Sequence, residues 1–198
     1  KEVKLILDEL KVMFILGSGT CLGAVRDNDL IPWDDDIDLV SVGDFNGLTK
    51  ESIDGILATF RERGYYVRQN NWSPDMPPYA ISHSIIKDYV RVDWSCSFVA
   101  DDSIYVYPGI PIPANFFIHP KEIEFLGEKF FVPNPPEEYL VLKYGTEWTI
   151  PKEAGEYEKD IVEKIPSAEL VGHPCRIRVF DVQDRPVAKA EVVLVGGS

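Results

Sequence analysis

Apolar residues recur at Val3, Ile6, Leu7 and Leu10, the i, i+3, i+4, i+7 stripe of a helix that buries one face. A first helix is predicted there. The run Val12–Leu16 is short, wholly apolar and ended by Gly17-Ser18-Gly19, which reads as a buried strand entering a tight turn. Ile53, Ile56, Leu57 and Phe60 repeat the helical stripe, with Thr49 or Ser52 as N-cap and Gly64 as stop, so a second helix is expected over about 50–63. Tyr65–Arg68, Tyr79–Ile86 and Tyr89–Trp94 are rich in β-branched and aromatic residues, and Lys87-Asp88 is placed to turn the last two into a hairpin. Prolines at 108, 111 and 113 remove ladder N–H groups, which confines that segment to a connector or a sheet edge. Phe130–Val132 reads as a short strand. Pro135-Pro136-Glu137-Glu138 opens a helix that runs through Tyr144 and ends at Gly145. The order predicts an α+β domain, a mixed sheet flanked by helices.

The chain has 198 residues, enough for one full domain with a real core. Its longest aliphatic-aromatic run is five residues, Val12–Leu16, far short of the roughly 18 that cross a bilayer, so no integral membrane segment is expected. The net charge of −13 makes nucleic acid or an anionic membrane a poor nonspecific partner, and an anionic ligand needs local help from a metal or a few arginines. Cys21, Cys96 and Cys175 are too few and scattered for a disulfide framework or a four-ligand zinc site, and they point to a reducing, cytoplasmic compartment. Asn71-Trp72-Ser73 is a glycosylation sequon, and the chain opens at Lys1 inside a predicted helix, so an upstream signal or anchor is conceivable. Composition changes after about Pro166. Residues 1–167 are expected to form the main domain. Within 172–198, IRVFDV and AEVVLV read as a β-hairpin that resembles the truncated start of an immunoglobulin-like or carboxypeptidase-regulatory-like module.

The densest chemical signal is Ile31-Pro32-Trp33-Asp34-Asp35-Asp36-Ile37-Asp38-Leu39, four carboxylates in five positions between large apolar residues. Such charges repel unless water or a cation relieves them. A solvated acidic turn is the plain alternative, but Trp33, Ile37 and Leu39 alternate with the acids as in a half-buried strand, which sets Asp36 and Asp38 on one face as a natural Mg²⁺ site. An EF-hand reading fails, because its position 6 would be Leu39 and its position 12 Phe45. Gly17-Ser18-Gly19-Thr20 follows a strand and precedes a helix, so its amides and hydroxyls are candidates for phosphate oxygens, although a plain turn fits as well. Arg26 is either a surface charge or a phosphate clamp. Asp93 lies between apolar neighbours in a β-like run, where an acid is costly unless it is metal-bound or salt-bridged to Arg91 or Arg68. His83, His119 and His173 show no ligand spacing, and no nucleophile elbow surrounds a Ser or Cys.

A GS turn after a strand, D-x-D on the next strand and a third Asp on a later one form the general pattern of the nucleotidyltransferase superfamily. More specifically, GSGTCLGAVRDNDLIPWDDDIDL, residues 17–39, closely resembles the signature of the LicD family, whose relatives include fukutin and fukutin-related protein. Tyr144-Gly145-Thr146-Glu147-Trp148-Thr149-Ile150-Pro151 looks like that family's closing YG…W…P element, and Asp93 falls at its third Asp. The resemblance covers roughly residues 1–152. It implies a nucleotidyltransferase-like fold and transfer of a phospho-alcohol group, such as phosphocholine or ribitol phosphate, from a CDP-linked donor to a hydroxyl of a cell-surface glycan such as teichoic acid or lipopolysaccharide, with CMP released. It further implies Mg²⁺ or Mn²⁺ held by Asp36, Asp38 and Asp93, with Asp93 as third ligand or as base, and donor phosphates met by Gly17, Ser18, Gly19, Thr20 and Arg26. The chain departs from the family where Asp27 stands in place of the usual His, and in lacking a cysteine-rich zinc insertion. Two rival readings use the same residues: transfer of a nucleoside monophosphate from an NTP, and a catalytically inert glycan-binding relative.

Overall fold

The computed structural model describes residues 1–70, 80–107 and 109–156. All the elements below lie within Lys1–Pro151, the first of two units into which the chain divides. The amphipathic opening forms helix α1 (Glu2–Glu9), which buries Val3, Ile6 and Leu7. Of the apolar run that follows, only Ile15–Leu16 (β1) joins the sheet, though Val12 and Phe14 are buried too. Gly17 is then the N-cap of helix α2 (Ser18–Arg26), so the glycine turn is also the start of a helix. Strand β2 (Asp36–Val42) pairs antiparallel with β1. A short α3 (Gly43–Asn46) leads to α4 (Lys50–Glu62), whose two candidate caps are both used: the Ser52 amide donates to Thr49 Oγ1 at 3.3 Å and the Thr49 amide to Ser52 Oγ at 2.8 Å.

Strands β3 (Tyr66–Asn70), β4 (Ala80–Lys87) and β5 (Val90–Ser97) complete a five-stranded mixed sheet of order β1-β2-β5-β4-β3. Only β2 and β5 run parallel. The β4–β5 turn falls on Asp88-Tyr89, one residue later than expected, with φ of 51° and 66°, the doubly positive geometry whose twist suits a two-residue hairpin. Strands β6 (Ser103–Val106) and β7 (Ile110–Pro113) form a separate pair, where Pro111 and Pro113 need no second neighbour. Helix α5 (Asn115–Ile118), the hairpin of β8 (Lys121–Phe125) and β9 (Glu128–Val132), and helix α6 (Pro136–Tyr144) follow. Among the described residues, six helices beside the mixed sheet make the class α+β, as predicted.

Period-two alternation divides the sheet chemically. One face carries Ile37, Leu39, Ile85, Val92 and Trp94, which join the core with Ile53, Leu57 and Phe60 of α4. Trp94 is fully buried yet satisfied, its Nε1–H donating to Ser41 Oγ at 3.0 Å, and Ser41 donates in turn to the Met13 carbonyl at 2.7 Å. The other face carries Asp36, Asp38, Arg91 and Asp93. Among the described residues no helix is long and apolar enough to cross a membrane. The hairpin expected in 172–198, with Cys175 and His173, and the Asn71 sequon lie outside the described residues.

Candidate active site

The parallel register of β2 and β5 sets Asp36 opposite Arg91 and Asp38 opposite Asp93, so all four side chains leave one face of two adjacent strands. The D-x-D spacing and the later Asp therefore converge through strand pairing. The loop between α2 and β2 adds Asp34 and Asp35, and one carboxylate oxygen each of Asp34, Asp35 and Asp36 lies within 4.8 Å of the others. This is the tightest acidic group among the described residues. Asp38 and Asp93 flank it instead of joining it. Asp34 and Asp35 are thus drawn into a site for which the sequence motif nominated Asp36 and Asp38.

Helix α2 reaches this face with its N-terminus. The Gly17 amide donates to the Asp38 carbonyl at 3.0 Å, the Gly19 amide to Asp38 Oδ2 at 3.0 Å, and the Asp38 amide to Thr20 Oγ1 at 2.8 Å. The Ser18 amide donates to the Tyr139 hydroxyl of α6 at 3.1 Å, with Ser18 itself at φ 34°. A Cβ on Gly19 would stand 2.3 Å from Asp34 Oδ2, so glycine is what lets the two carboxylates close on the helix end. The amides of Gly17, Ser18 and Gly19, expected to meet phosphate, are engaged within the chain. The glycine turn therefore works as a clamp on Asp38. Arg26 sits at the opposite end of α2, about 12 Å away along the axis, with its guanidinium closed on Asp27 at 2.7–3.0 Å. The structure does not bring it together with Ser18.

Burial and crowding set the electrostatics. The Asp34 carboxyl is pushed up to about 6, first by burial and then by Asp36 and Asp35, with Arg91 opposing. Asp38 is held well above the ordinary carboxylate range by burial, Asp36 and Asp34, against the pull of Lys143 and the Gly19 amide. Burial also raises Asp93, while the Ser84 hydroxyl and Arg91 pull it back. Arg91 donates through Nη2 to Asp35 Oδ1 at 3.1 Å and to Asp36 Oδ2, and its Nε lies 3.7 Å from Asp93 Oδ1. The salt bridge weighed for Asp93 is thus partly made.

Two side chains on α6 complete the surroundings without having been singled out in the sequence. Tyr139 is almost fully buried and holds the Ser18 amide. Lys143, one helical turn on, is also buried; its ammonium donates to the Tyr107 carbonyl and lies 5.9 Å and 5.7 Å from the ring centroids of Tyr107 and Tyr144. A lysine in the last turn of an exposed-looking helix reads as a solvated charge, since buried lysines are rare. The i, i+4 spacing to Tyr139 is the one sequence signal that places both on one face.

Clustered hard oxygen donors whose negative charge Arg91 offsets only in part suit a divalent cation such as Mg²⁺ or Mn²⁺. Asp93 Oδ1, buried and without a hydrogen-bond partner, suits either such an ion or a substrate proton. The donor set therefore fits the ion that the signature implies.

A carboxylate-lined mixed sheet clamped by a glycine-led helix defines a nucleotidyltransferase-type domain, and residues 11–135 match the family model described as LicD/FKTN/FKRP, nucleotidyltransferase domain. That span is more than half the chain, and the chain belongs to the LicD family. Membership places it among transferases of the phosphotransferase type that modify glycans. The match takes in every carboxylate of the site but ends before α6, so Tyr139, Lys143 and the Tyr144–Pro151 segment lie beyond it. No curated protein matches the chain.

Proposed function

We propose that this chain transfers a phospho-alcohol group from a CDP-linked donor to a glycan hydroxyl and releases CMP, with Mg²⁺ or Mn²⁺ as cofactor. The observation that supports this most is the register Asp38 to Asp93 across parallel strands, which gathers the family's three acids on one face. Asp36 and Asp38, joined by Asp34 and Asp35, would hold the ion. When bound, it supplies positive charge that neutralises the donor diphosphate. The α2 clamp keeps Asp38 in place through three hydrogen bonds, so its carboxylate needs no reorganisation during the reaction.

In this reading the acceptor oxygen attacks the donor phosphorus in line, a bond forms between them, and the bond to the CMP oxygen breaks. Asp93, raised by burial, takes the acceptor's hydroxyl proton. Arg26 reaches a phosphate only by leaving Asp27. Residues 1–167 carry this chemistry, and a chain ended before Gly172 should keep its turnover. We place the reaction in a reducing, cytoplasmic compartment, in keeping with the buried thiols of Cys21 and Cys96.

The test is a screen of CDP-linked alcohols with Mg²⁺ or Mn²⁺, following CMP with and without acceptor glycans. Acceptor-dependent CMP release is expected. Pyrophosphate release from an NTP would replace the reading with nucleotidyl transfer. Metal-independent glycan binding without turnover would replace it with an inert relative.

A further inference from the structure

Arg91 touches acids from both strands and from the preceding loop. It meets Asp35 and Asp36 through Nη2, and its Nε lies 3.7 Å from Asp93 Oδ1. Its β5 position opposite Asp36 fixes the stem of the side chain at this face, with only 22% of the side chain exposed. A guanidinium is a planar fork whose donors match paired carboxylate oxygens. It supplies the positive charge on which these acids converge.

We propose that Arg91 is an internal counter-cation that a divalent ion must displace, and that the displaced guanidinium then serves as an anion-binding fork for the donor diphosphate. The inference rests on the metal-dependent reading above. A divalent ion held by Asp36 and Asp38 with Asp34 and Asp35 would share Asp35 and Asp36 with the guanidinium. Like charges sharing those carboxylates, partly shielded from water, repel strongly. Arg91 must therefore give up at least its hold on Asp36. Because β5 anchors its backbone, the released fork stays beside the ion, and phosphate oxygens offer it the geometry that the carboxylates have lost. The arrangement couples metal and donor: the ion binds against Arg91, and the diphosphate stabilises the displaced state.

The test measures Mn²⁺ affinity by electron paramagnetic resonance, and CDP affinity at saturating Mg²⁺ by calorimetry, for the wild type, Arg91→Gln and Arg91→Lys. Arg91→Gln is expected to bind Mn²⁺ alone on the order of ten-fold more tightly and CDP on the order of ten-fold more weakly. Arg91→Lys, which keeps the charge without the fork, should hold Mn²⁺ near the wild-type value and still lose CDP affinity. In the wild type, the Arg91 Nε–H resonance should move on Mg²⁺ addition, a readout that needs no variant to fold. A static resonance, or unchanged Mn²⁺ or CDP affinity in Arg91→Gln, would overturn the proposal. If the wild type bound no Mn²⁺ at all, the metal-dependent reading itself would fall.

Discussion

Two groups of acids in this chain live under opposite electrostatic regimes. On α1 each acid has its own cation: Glu2 meets Lys87 at 2.9 Å and the Tyr65 hydroxyl at 2.8 Å, Asp8 meets Lys4 at 2.5 Å, and Glu9 meets Arg63 at 2.8 Å. Glu2 and Glu9 are accordingly held below the usual carboxylate range by those partners. At the site, Asp34, Asp38 and Asp93 are held above it, chiefly by burial, and crowding by neighbouring acids adds to the effect. Glu2 and Glu9 favour the folded state when ionised. Asp34, Asp38 and Asp93 oppose it, so stability does not explain their presence there, whereas the proposed function does.

That contrast breaks first at the centre of the site. Asp38→Asn keeps an oxygen for the Gly19 amide but removes a ligand charge, so turnover in the CMP-release assay should fall on the order of 10²–10³-fold while the circular dichroism of the fold persists. Near-normal turnover at saturating Mg²⁺ would move the ion's ligands elsewhere. Gly23→Ala should come next, because its Cβ would stand 2.5 Å from the Asp29 carbonyl oxygen, a backbone atom with little room to yield. A loss of about 1–3 kcal/mol is expected in denaturant titration. Weaker Mn²⁺ binding should accompany it, since the same loop carries Asp34 and Asp35.

A smaller effect of opposite sign tests the regime directly. Asp34 has its pKa raised in the fold to about 6 from 3.8, so ionising it disfavours folding; the penalty is absent below about pH 4 and complete above about pH 6. Asp34→Asn, compared with wild type in EDTA, should therefore leave the Tm unchanged at pH 4 and raise it by a few degrees at pH 7. A lower Tm at pH 7 would mark Asp34 as structural. Glu9→Gln gives the smallest change and the reverse trend: Arg63 lowers the Glu9 pKa, so its stabilisation is present at neutral pH and lost as pH falls through the depressed value. The Tm should drop by no more than about a degree at pH 7, and less in high salt. A larger drop would mean that the exposed pair does more than its geometry suggests.

What the sequence discloses follows the range of the interactions involved. Helix α4 was legible because its stripe and its Thr49–Ser52 cap are local, and so was the hairpin around Asp88. The three family acids stood out because apolar flanks reveal a strand, and strand pairing brings them to one face. Strands β6 and β8 escaped notice, as each is a short segment defined by its partner more than by its own pattern. The engagement of the glycine-turn amides escaped too. It depends on Asp38 and Tyr139, and Tyr139 lies 121 positions from Ser18, too far for local spacing to announce.

The parallel pairing of β2 with β5 also sets an order of events during folding. The β4–β5 hairpin closes through a two-residue turn, a step of microseconds, whereas β2 must wait for α3, α4, β3 and β4 to form the intervening crossover. Until that long loop closes, Asp38 and Asp93 are strangers in one chain. On a ribosome the nascent polypeptide holds its signature motif exposed well before Asp93 has been synthesised, and the site assembles only once the last residues of β5 have emerged.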